Sequence, residues 1–223
     1  MSEEKTPPTK KYYDYISVGN RTKQVAYFVQ QHDKNRMLEE LLKPFNEKQI
    51  LVMVKSKKSA DKLYEYLKTK EINSLAIHGN HRASQIEDAQ VAFNAKEITI
   101  LITTDRIFEN MHLENVELLL NYDLPFESTD YFKRLRLVDE IAEAISLVDP
   151  EDEGMLEKIE LMMKCDMDEV ELEGFEHTNR TLKSPKDKTK KPRHKKVAQR
   201  AKRKAEIKSK WIPVEKQDEV KGE

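Results

Sequence analysis

The sequence predicts an α/β domain built on a doubly wound parallel sheet. Short apolar runs alternate along the chain with longer amphipathic segments. Two of the runs, ILVMV (50–54) and AISLV (144–148), are apolar at nearly every position, which is typical of parallel strands buried on both faces. Strands that alternate with helices form right-handed βαβ units, and the helices then cover both faces of the sheet.

The first elements follow from their period and from the residues that flank them. The run QVAYFV fits a strand over 24–29, and Asp33 is expected to N-cap an amphipathic helix that ends near residue 45. The ILVMV strand comes next. An amphipathic helix is then predicted over 59–67, followed by a strand over 72–77 that ends at His78-Gly79.

The second half of the sheet is read in the same way. A helix is predicted over 84–93 and a strand over 99–102. The run LLLN makes 118–121 a further strand, and the next helix begins near Ser128. The AISLV strand follows, and the last predicted helix covers 151–164.

Composition limits what else the chain can contain. It has 223 residues, of which 38% are hydrophobic and 36% charged, so one core is expected and part of the chain lies outside it. The single cysteine, Cys165, excludes an internal disulfide framework, and the six histidines show no metal-ligand spacing, so no metal is expected. The acidic clusters 149–153 and 166–169 are predicted to be solvated helix ends.

The first residues carry no apolar signal core, and no run approaches about 18 apolar residues. We therefore expect no membrane partner and a cytoplasmic location.

Charge is divided unevenly along the chain. Residues 179–211 contain 15 Lys or Arg and 2 Asp or Glu, which leaves 25 basic and 39 acidic residues for the rest. We therefore predict a disordered N-terminus over 1–12, an acidic folded body over 13–177 and a basic tail over 178–223 that binds RNA. The alternative is a solubility tail or a nonspecific polyanion binder.

Five segments in fixed order resemble the second, C-terminal RecA-like domain of DEAD-box RNA helicases. They are ILVMVKSKKSADKL, INSLAIHGN, ILITTD, VELLLNYDLPFESTDYFKR and AISLVDPEDEGMLEKIE, and the match covers about residues 20 to 176. The resemblance implies a RecA-like fold of the P-loop NTPase type.

The resemblance also implies RNA contacts at three loops that follow predicted strands. The matching residues are Lys55, Lys57, His78, Gly79, Thr104 and Asp105. The alternatives are solvated lysines, a turn glycine, and a pair that caps the turn after its strand.

In the basic tail, cations and one aromatic residue are the predicted RNA contacts. They are Lys190, Lys191, Arg193, Lys195, Lys196, Arg200, Lys202, Arg203, Lys204 and Trp211.

The sequence departs from the family where ATP chemistry resides. The 223 residues contain neither a Gly-rich loop ending in Gly-Lys-Thr nor an Asp-Glu-Ala-Asp box, both of which belong to the family's first domain. Glu109 stands where the family has an arginine, and Asn110 where it has a glycine. Lys133 and Arg134 match the first two positions of the family's last motif, but its glycines and later arginines are missing.

These departures lead to one main interpretation and two alternatives. The main one is a degenerate, stand-alone helicase domain that binds RNA, including ribosomal RNA, without hydrolysing ATP or unwinding. The first alternative is half of a split helicase, in which a separate first domain supplies the phosphate loop, ATP becomes a cofactor, and Arg134 or Arg136 acts in trans. The second is a protein-interaction scaffold. For Arg134 a surface salt bridge is the competing interpretation.

Overall fold

The computed structural model describes residues 15–45, 47–137 and 143–178, which all belong to one unit, Met1–Thr178. In chain order its elements are α1 (Tyr15–Arg21), β1 (Lys23–Phe28), α2 (Lys34–Leu42), a 3₁₀ turn (Lys43–Phe45), β2 (Ile50–Met53), α3 (Lys57–Thr69), β3 (Ser74–Ile77), α4 (Ala83–Asn94), β4 (Ile100–Thr103), α5 (Asp105–Phe108), β5 (Leu118–Asn121), α6 (Ser128–Leu137), β6 (Glu143–Val148), α7 (Glu153–Met163) and β7 (Asp168–Val170).

The described strands form a seven-stranded sheet in the order β3-β4-β2-β5-β6-β1-β7, and every pairing is parallel. The central strands β2, β4 and β5 are buried along their whole length, as continuous apolar runs require. The predicted doubly wound α/β class is therefore confirmed, and each predicted strand is present with its ends within two residues.

Apolar side chains cover both faces of the sheet. On one face Leu51 and Leu119 belong to a core shared with α4, α6 and α7. On the other face Val52 and Leu120 belong to a core shared with α2 and α3. Because neighbouring strand residues point to opposite faces, each central strand contributes to both cores.

Helix starts are set by local hydrogen bonds in some cases and by distant contacts in others. Ser56 N-caps α3, because its hydroxyl accepts from the Ser59 N–H at 3.1 Å. Asp33 precedes α2 as predicted, but its carboxylate makes no capping bond to the helix. That part of the prediction is wrong, because Asp33 binds the distant Thr178 instead.

Three described elements were not predicted from the sequence. They are α1, α5 and β7. The edge strand β7 (Asp168–Val170) has three exposed residues and therefore shows no apolar alternation. It overlaps the cluster 166–169, whose acidic residues are solvated but do not form a helix end. Helix α1 packs closely on α7, where a Cβ on Gly19 would lie 2.8 Å from the Met163 side chain.

Candidate nucleic-acid interface

Loops that follow the strands meet at one edge of the sheet. Because all the strands are parallel, their carboxyl ends lie side by side, and we call the loops after them the carboxyl edge. The six residues predicted to bind RNA in the body all lie there. Their side chains differ greatly in exposure, and this difference decides which of them can reach a ligand.

Lys57 and Gly79 form the exposed part of the predicted surface. Lys57 is the first residue of α3, and its Nζ donates to Asn80 Oδ1 at 2.5 Å. A Cβ built on Gly79 would lie 3.4 Å from Lys57 Cε and 3.6 Å from Lys57 Nζ. The structure thus brings the Lys57 ammonium close to an exposed glycine.

His78 serves the loop rather than the surface. Its side chain is 5% exposed, and its Nε2 lies 2.7 Å from Asp61 Oδ1. Its backbone N–H donates to His81 Nδ1 at 3.1 Å. Both groups are therefore occupied internally, and His78 positions the neighbouring Gly79.

Lys34, which the sequence analysis did not single out, lies fully buried among three carboxylates. Its Nζ is 3.1 Å from Asp123, 3.0 Å from Asp149 and 3.6 Å from Asp152. The prediction that the cluster 149–153 is solvated is wrong for Asp149 and Asp152, because the buried ammonium holds both carboxylates inside. A lysine in an amphipathic helix gave no sequence signal for this role.

Electrostatics explains how this buried group stays charged. Burial alone would lower the pKa of Lys34, but the carboxylates of Asp123, Asp149 and Asp152 outweigh it and raise that pKa above its ordinary value. Burial alone would raise the pKa of Asp149, but the charge of Lys34 and backbone N–H donors hold it below its usual range. Lys34 and Asp149 are therefore both charged at neutral pH.

Lys55 is tied to the same cluster. Its side chain is half-buried, its Nζ pairs with Asp152, and its backbone N–H donates to Asp123 Oδ2 at 3.1 Å. The Phe126 ring lies 5.8 Å from the Lys55 ammonium and is 73% exposed. Lys55 is thus held by the domain, and less of its charge faces a ligand than that of Lys57.

Thr104 and Asp105 organise the turn after β4. The Thr104 carbonyl accepts from the N–H groups of Ile107 and Phe108, both at 3.0 Å, and this starts α5. The Asp105 carboxylate is aimed inward at Arg134. This geometry corresponds to the turn-capping alternative, and both residues of the pair are half-buried.

Arg134 is enclosed by the domain. Its side chain is 0% exposed, and its Nε and Nη2 donate to the two oxygens of Asp105 at 2.6 and 2.7 Å. Its Nη1 donates to Asn121 Oδ1 at 2.7 Å and to the Asp123 carbonyl at 3.0 Å. Because the side chain is fully buried, it cannot form a surface salt bridge, and in this position it does not reach ATP held by a separate domain. Arg136 is exposed on the same helix.

The reversed charge at Glu109 is neutralised locally. Lys133 Nζ lies 2.7 Å from Glu109 and 2.8 Å from Asp130. Hydrogen bonds to Asp130 and Glu109 raise the pKa of Lys133 above its ordinary value. The two departures from the family pattern, Glu109 and Lys133, therefore form one exposed ion pair.

Residues 33–136 match the family described as helicase conserved C-terminal domain. The chain carries a C-terminal helicase domain of the DEAD-box type. An ATP-dependent RNA helicase, SUB2-2, from Vanderwaltozyma polyspora is 31% identical over 152 residues, which are 66% of this chain and 34% of that protein. This chain spans between about a third and less than half of the length of the curated relatives it matches.

Solved structures agree with this helicase C-terminal domain. A DEAD box protein from Methanococcus jannaschii is 27% identical with a TM-score of 0.64, covering 69% of this chain and 43% of that one. The Dbp5 C-terminal domain of S. cerevisiae, bound to Gle1 and IP6, is 25% identical with a TM-score of 0.61, covering 67% and 90%. The predicted RecA-like fold is confirmed.

The predicted disordered N-terminus and the predicted RNA contacts of the tail lie outside the described residues. These are the N-terminus 1–12 and all the tail contacts, namely Lys190, Lys191, Arg193, Lys195, Lys196, Arg200, Lys202, Arg203, Lys204 and Trp211. Within residues 15–45, 47–137 and 143–178, no three potential ligands cluster to hold a metal ion. No helix in these same ranges has the length and apolarity that a membrane span needs.

Proposed function

We propose that this protein binds RNA through Lys57, Gly79 and the basic tail, and that it needs no ATP to do so. The observation that carries the proposal is the closeness of the Lys57 side chain to Gly79 at the carboxyl edge, where a Cβ on Gly79 would lie 3.6 Å from Lys57 Nζ. An ammonium beside accessible backbone suits a phosphate and reads no base, so the expected binding has little sequence preference. The name of the SUB2-2 relative, an RNA helicase, supports RNA as the ligand.

Ion pairs neutralise the acidic side chains near Lys57 and Gly79, which supports phosphate binding at this surface. Glu109 alone would repel a phosphate, but its ion pair with Lys133 offsets that charge. The buried carboxylates of Asp149 and Asp152 are neutralised in the same way by Lys34 and Lys55. Lys57 is an exposed cation at this edge, and its Nζ donates to the neutral Asn80 amide oxygen rather than to a carboxylate.

The proposed independence from ATP rests on Arg134. All three guanidinium nitrogens of this residue donate to oxygens of its own domain, and its side chain is 0% exposed, so it presents no surface to an external phosphate. Finger arginines contribute about 10³- to 10⁵-fold to rate in enzymes that use them. A residue that must first leave Asp105 and Asn121 is poorly suited to that task. Within the 223 residues there is also no Gly-rich phosphate loop.

RNA binding is tested by charge reversal within one helix. Lys57→Glu is compared with Lys68→Glu, an equally exposed lysine near the opposite end of α3, about 16 Å away along the helix axis. Fluorescence anisotropy with single-stranded RNA should show binding about three- to tenfold weaker for Lys57→Glu, with a smaller salt slope. If both variants lose the same RNA affinity, the loss reflects the overall charge of the protein, and the surface at Lys57 and Gly79 is not the binding site.

A further inference from the structure

Phe126 is the one aromatic residue among the four large apolar side chains that are exposed in the described ranges 15–45, 47–137 and 143–178. Its exposed fraction is 73%, against 65% for Val91, 54% for Leu161 and 40% for Val170. The ring stands in the loop between β5 and α6, at the carboxyl edge. Because the folded domain leaves most of this ring in water, a ligand that covers it gains apolar and π contacts.

The backbone just before Phe126 is held firmly by the domain. Leu124 is fully buried. The Asp123 N–H donates to the Met53 carbonyl at 3.2 Å, and the Asp123 carbonyl accepts from Arg134 Nη1 at 3.0 Å. The exposed ring is therefore presented from a fixed backbone, and a ligand that binds it has little chain entropy to remove.

Lys55 and Lys57 lie on the chain segment next to the Phe126 loop. Strand β5 pairs with β2 in parallel, so the segments that follow these two strands are neighbours. The Lys55 ammonium lies 5.8 Å from the centre of the Phe126 ring, and Lys57 stands two residues further on, at the start of α3. Lys55 is paired with Asp152, whereas Lys57 is exposed. The exposed ring and the exposed cation therefore lie on adjacent segments of the carboxyl edge.

Acidic residues near the ring limit where a phosphate can bind. Glu127, the residue after Phe126, is exposed and repels phosphate. Lys57 lies on the other segment and attracts it. A nucleobase carries no charge and can lie on the ring itself, so we expect the phosphates attached to such a base to lie toward Lys57 and away from Glu127.

We propose that Phe126 is a stacking platform for an unpaired RNA base, whose phosphate lies toward Lys57. This proposal rests on the proposed RNA binding and names single-stranded RNA as the substrate class. Proteins that bind single strands combine aromatic rings with cations in this way. Stacking accepts any of the four bases, because every base has a π-face. Binding therefore keeps little sequence preference, but it discriminates against RNA whose bases are all paired.

The first test separates contacts to bases from contacts to phosphates. Phe126→Ala removes the ring, Phe126→Tyr keeps an aromatic ring as the matched control, and Val91→Ala removes another exposed apolar side chain, on α4. Anisotropy of the full-length protein is measured with a single-stranded RNA of about 12 nucleotides and with a blunt duplex of the same sequence. Because the Phe126 ring is exposed, its removal should leave the fold intact.

Phe126→Ala should bind the single strand at least about fivefold more weakly, which is the lower limit for losing one base–aromatic stack, and should bind the duplex as the wild type does. Phe126→Tyr and Val91→Ala should match the wild type on both RNAs. An equal loss on the single strand and the duplex would overturn the stacking role, because a duplex has no unpaired base to lose.

The second test detects a base at the ring by fluorescence. Trp211 is the only tryptophan of the 223 residues, so Phe126→Trp in a Trp211→Phe background places the one indole at this position. Single-stranded RNA should quench its emission with a midpoint equal to the dissociation constant from anisotropy. Val91→Trp in the same background is the control and should not respond. Quenching by adenosine monophosphate at the same concentrations as the RNA would assign the ring to a free nucleotide and refute the proposal.

The outcomes separate the stacking platform from the RNA-binding proposal on which it rests. If the wild type binds single-stranded RNA and Phe126→Ala binds it equally well, the platform fails, RNA binding stands, and the ring is left to a protein partner. If the wild type binds neither RNA, both proposals fall together.

Discussion

The Arg134 guanidinium and the Asp105 carboxylate are joined by two parallel hydrogen bonds of 2.6 and 2.7 Å inside the domain. A bidentate pair of this kind fixes the angle between the two groups as well as their distance. It fastens α6 to the turn after β4, and its third nitrogen reaches Asn121 at the end of β5. The pair therefore holds the carboxyl edge together.

Removing the guanidinium should be costly for stability. Arg134→Ala leaves the Asp105 carboxylate and the buried Asn121 oxygen without donors, so we expect a loss of about 3–5 kcal/mol in the free energy of unfolding. Urea denaturation followed by circular dichroism measures it. Arg136→Ala, on the exposed side of α6, is the control and should cost less than about 1 kcal/mol. Equal losses would contradict the enclosed role of Arg134.

Lys34 should control how stability responds to pH. Lys34→Met removes the ammonium from among Asp123, Asp149 and Asp152 and leaves Lys55 paired with Asp152, so repulsion between the carboxylates disfavours their charged forms. A group whose pKa is raised in the folded state is most favourable below its unfolded pKa and loses that stability as pH rises. The variant should therefore be more stable in urea at pH 5 than at pH 7. A variant that is less stable at pH 5 than at pH 7 would contradict the buried cluster.

The wild type should be most stable near neutral pH and should lose stability at both low and high pH. Asp33 and Asp149 have lowered pKa values, so their contribution is present above the unfolded value of 3.8 and is lost as pH falls further. Lys34 has a raised pKa, so its contribution is present below the unfolded value of 10.5 and is lost as pH rises through the folded one. Urea midpoints measured against pH should show a plateau at neutral pH that declines at both ends.

Glu109 should weaken RNA binding without supporting the fold. Glu109→Arg restores the charge that the helicase family has at this position, and we expect RNA affinity about threefold higher with a steeper salt dependence. The lost ion pair with Lys133 is exposed and contributes about 0–1 kcal/mol to stability. Glu114→Arg, an equally exposed position on the following loop, is the matched control. If both variants gain the same RNA affinity, the gain comes from net charge and not from the position of Glu109.

The basic tail should determine how steeply RNA affinity falls with salt concentration. Replacing Arg200, Lys202, Arg203 and Lys204 together by glutamine removes four cations, so the slope of log affinity against log salt should decrease by about 3 for single-stranded RNA. The slope is read from anisotropy titrations between low and moderate salt. An unchanged slope would place the RNA contacts elsewhere.

Periodicity predicted the fold well because burial on both faces leaves a local signature. The runs that became β2, β5 and β6 are apolar at nearly every position, and their bounds were predicted to within one residue. The edge strand β7 was not predicted because a strand that is not buried leaves no such apolar signature. Its three residues are exposed, so their side chains carry no trace of the pairing with β1.

The candidate site was less predictable because its charges are decided by distant partners. Arg134 has the sequence context of a surface helix, and only the fold brings Asp105 and Asn121 to it. Lys34 and Asp33 occupy positions that look like a solvated lysine and a helix cap, and their partners lie about 90 or more residues along the chain. Lys57 and Gly79 were predicted on separate loops after strands, and the parallel sheet brings both loops to one edge.

The most direct test of the central claim is the dissociation constant of the purified full-length protein for single-stranded RNA, measured with and without ATP and Mg²⁺. The account predicts salt-dependent binding whose dissociation constant is the same under both conditions. Binding that appears only with ATP, or no binding in either condition, would contradict it.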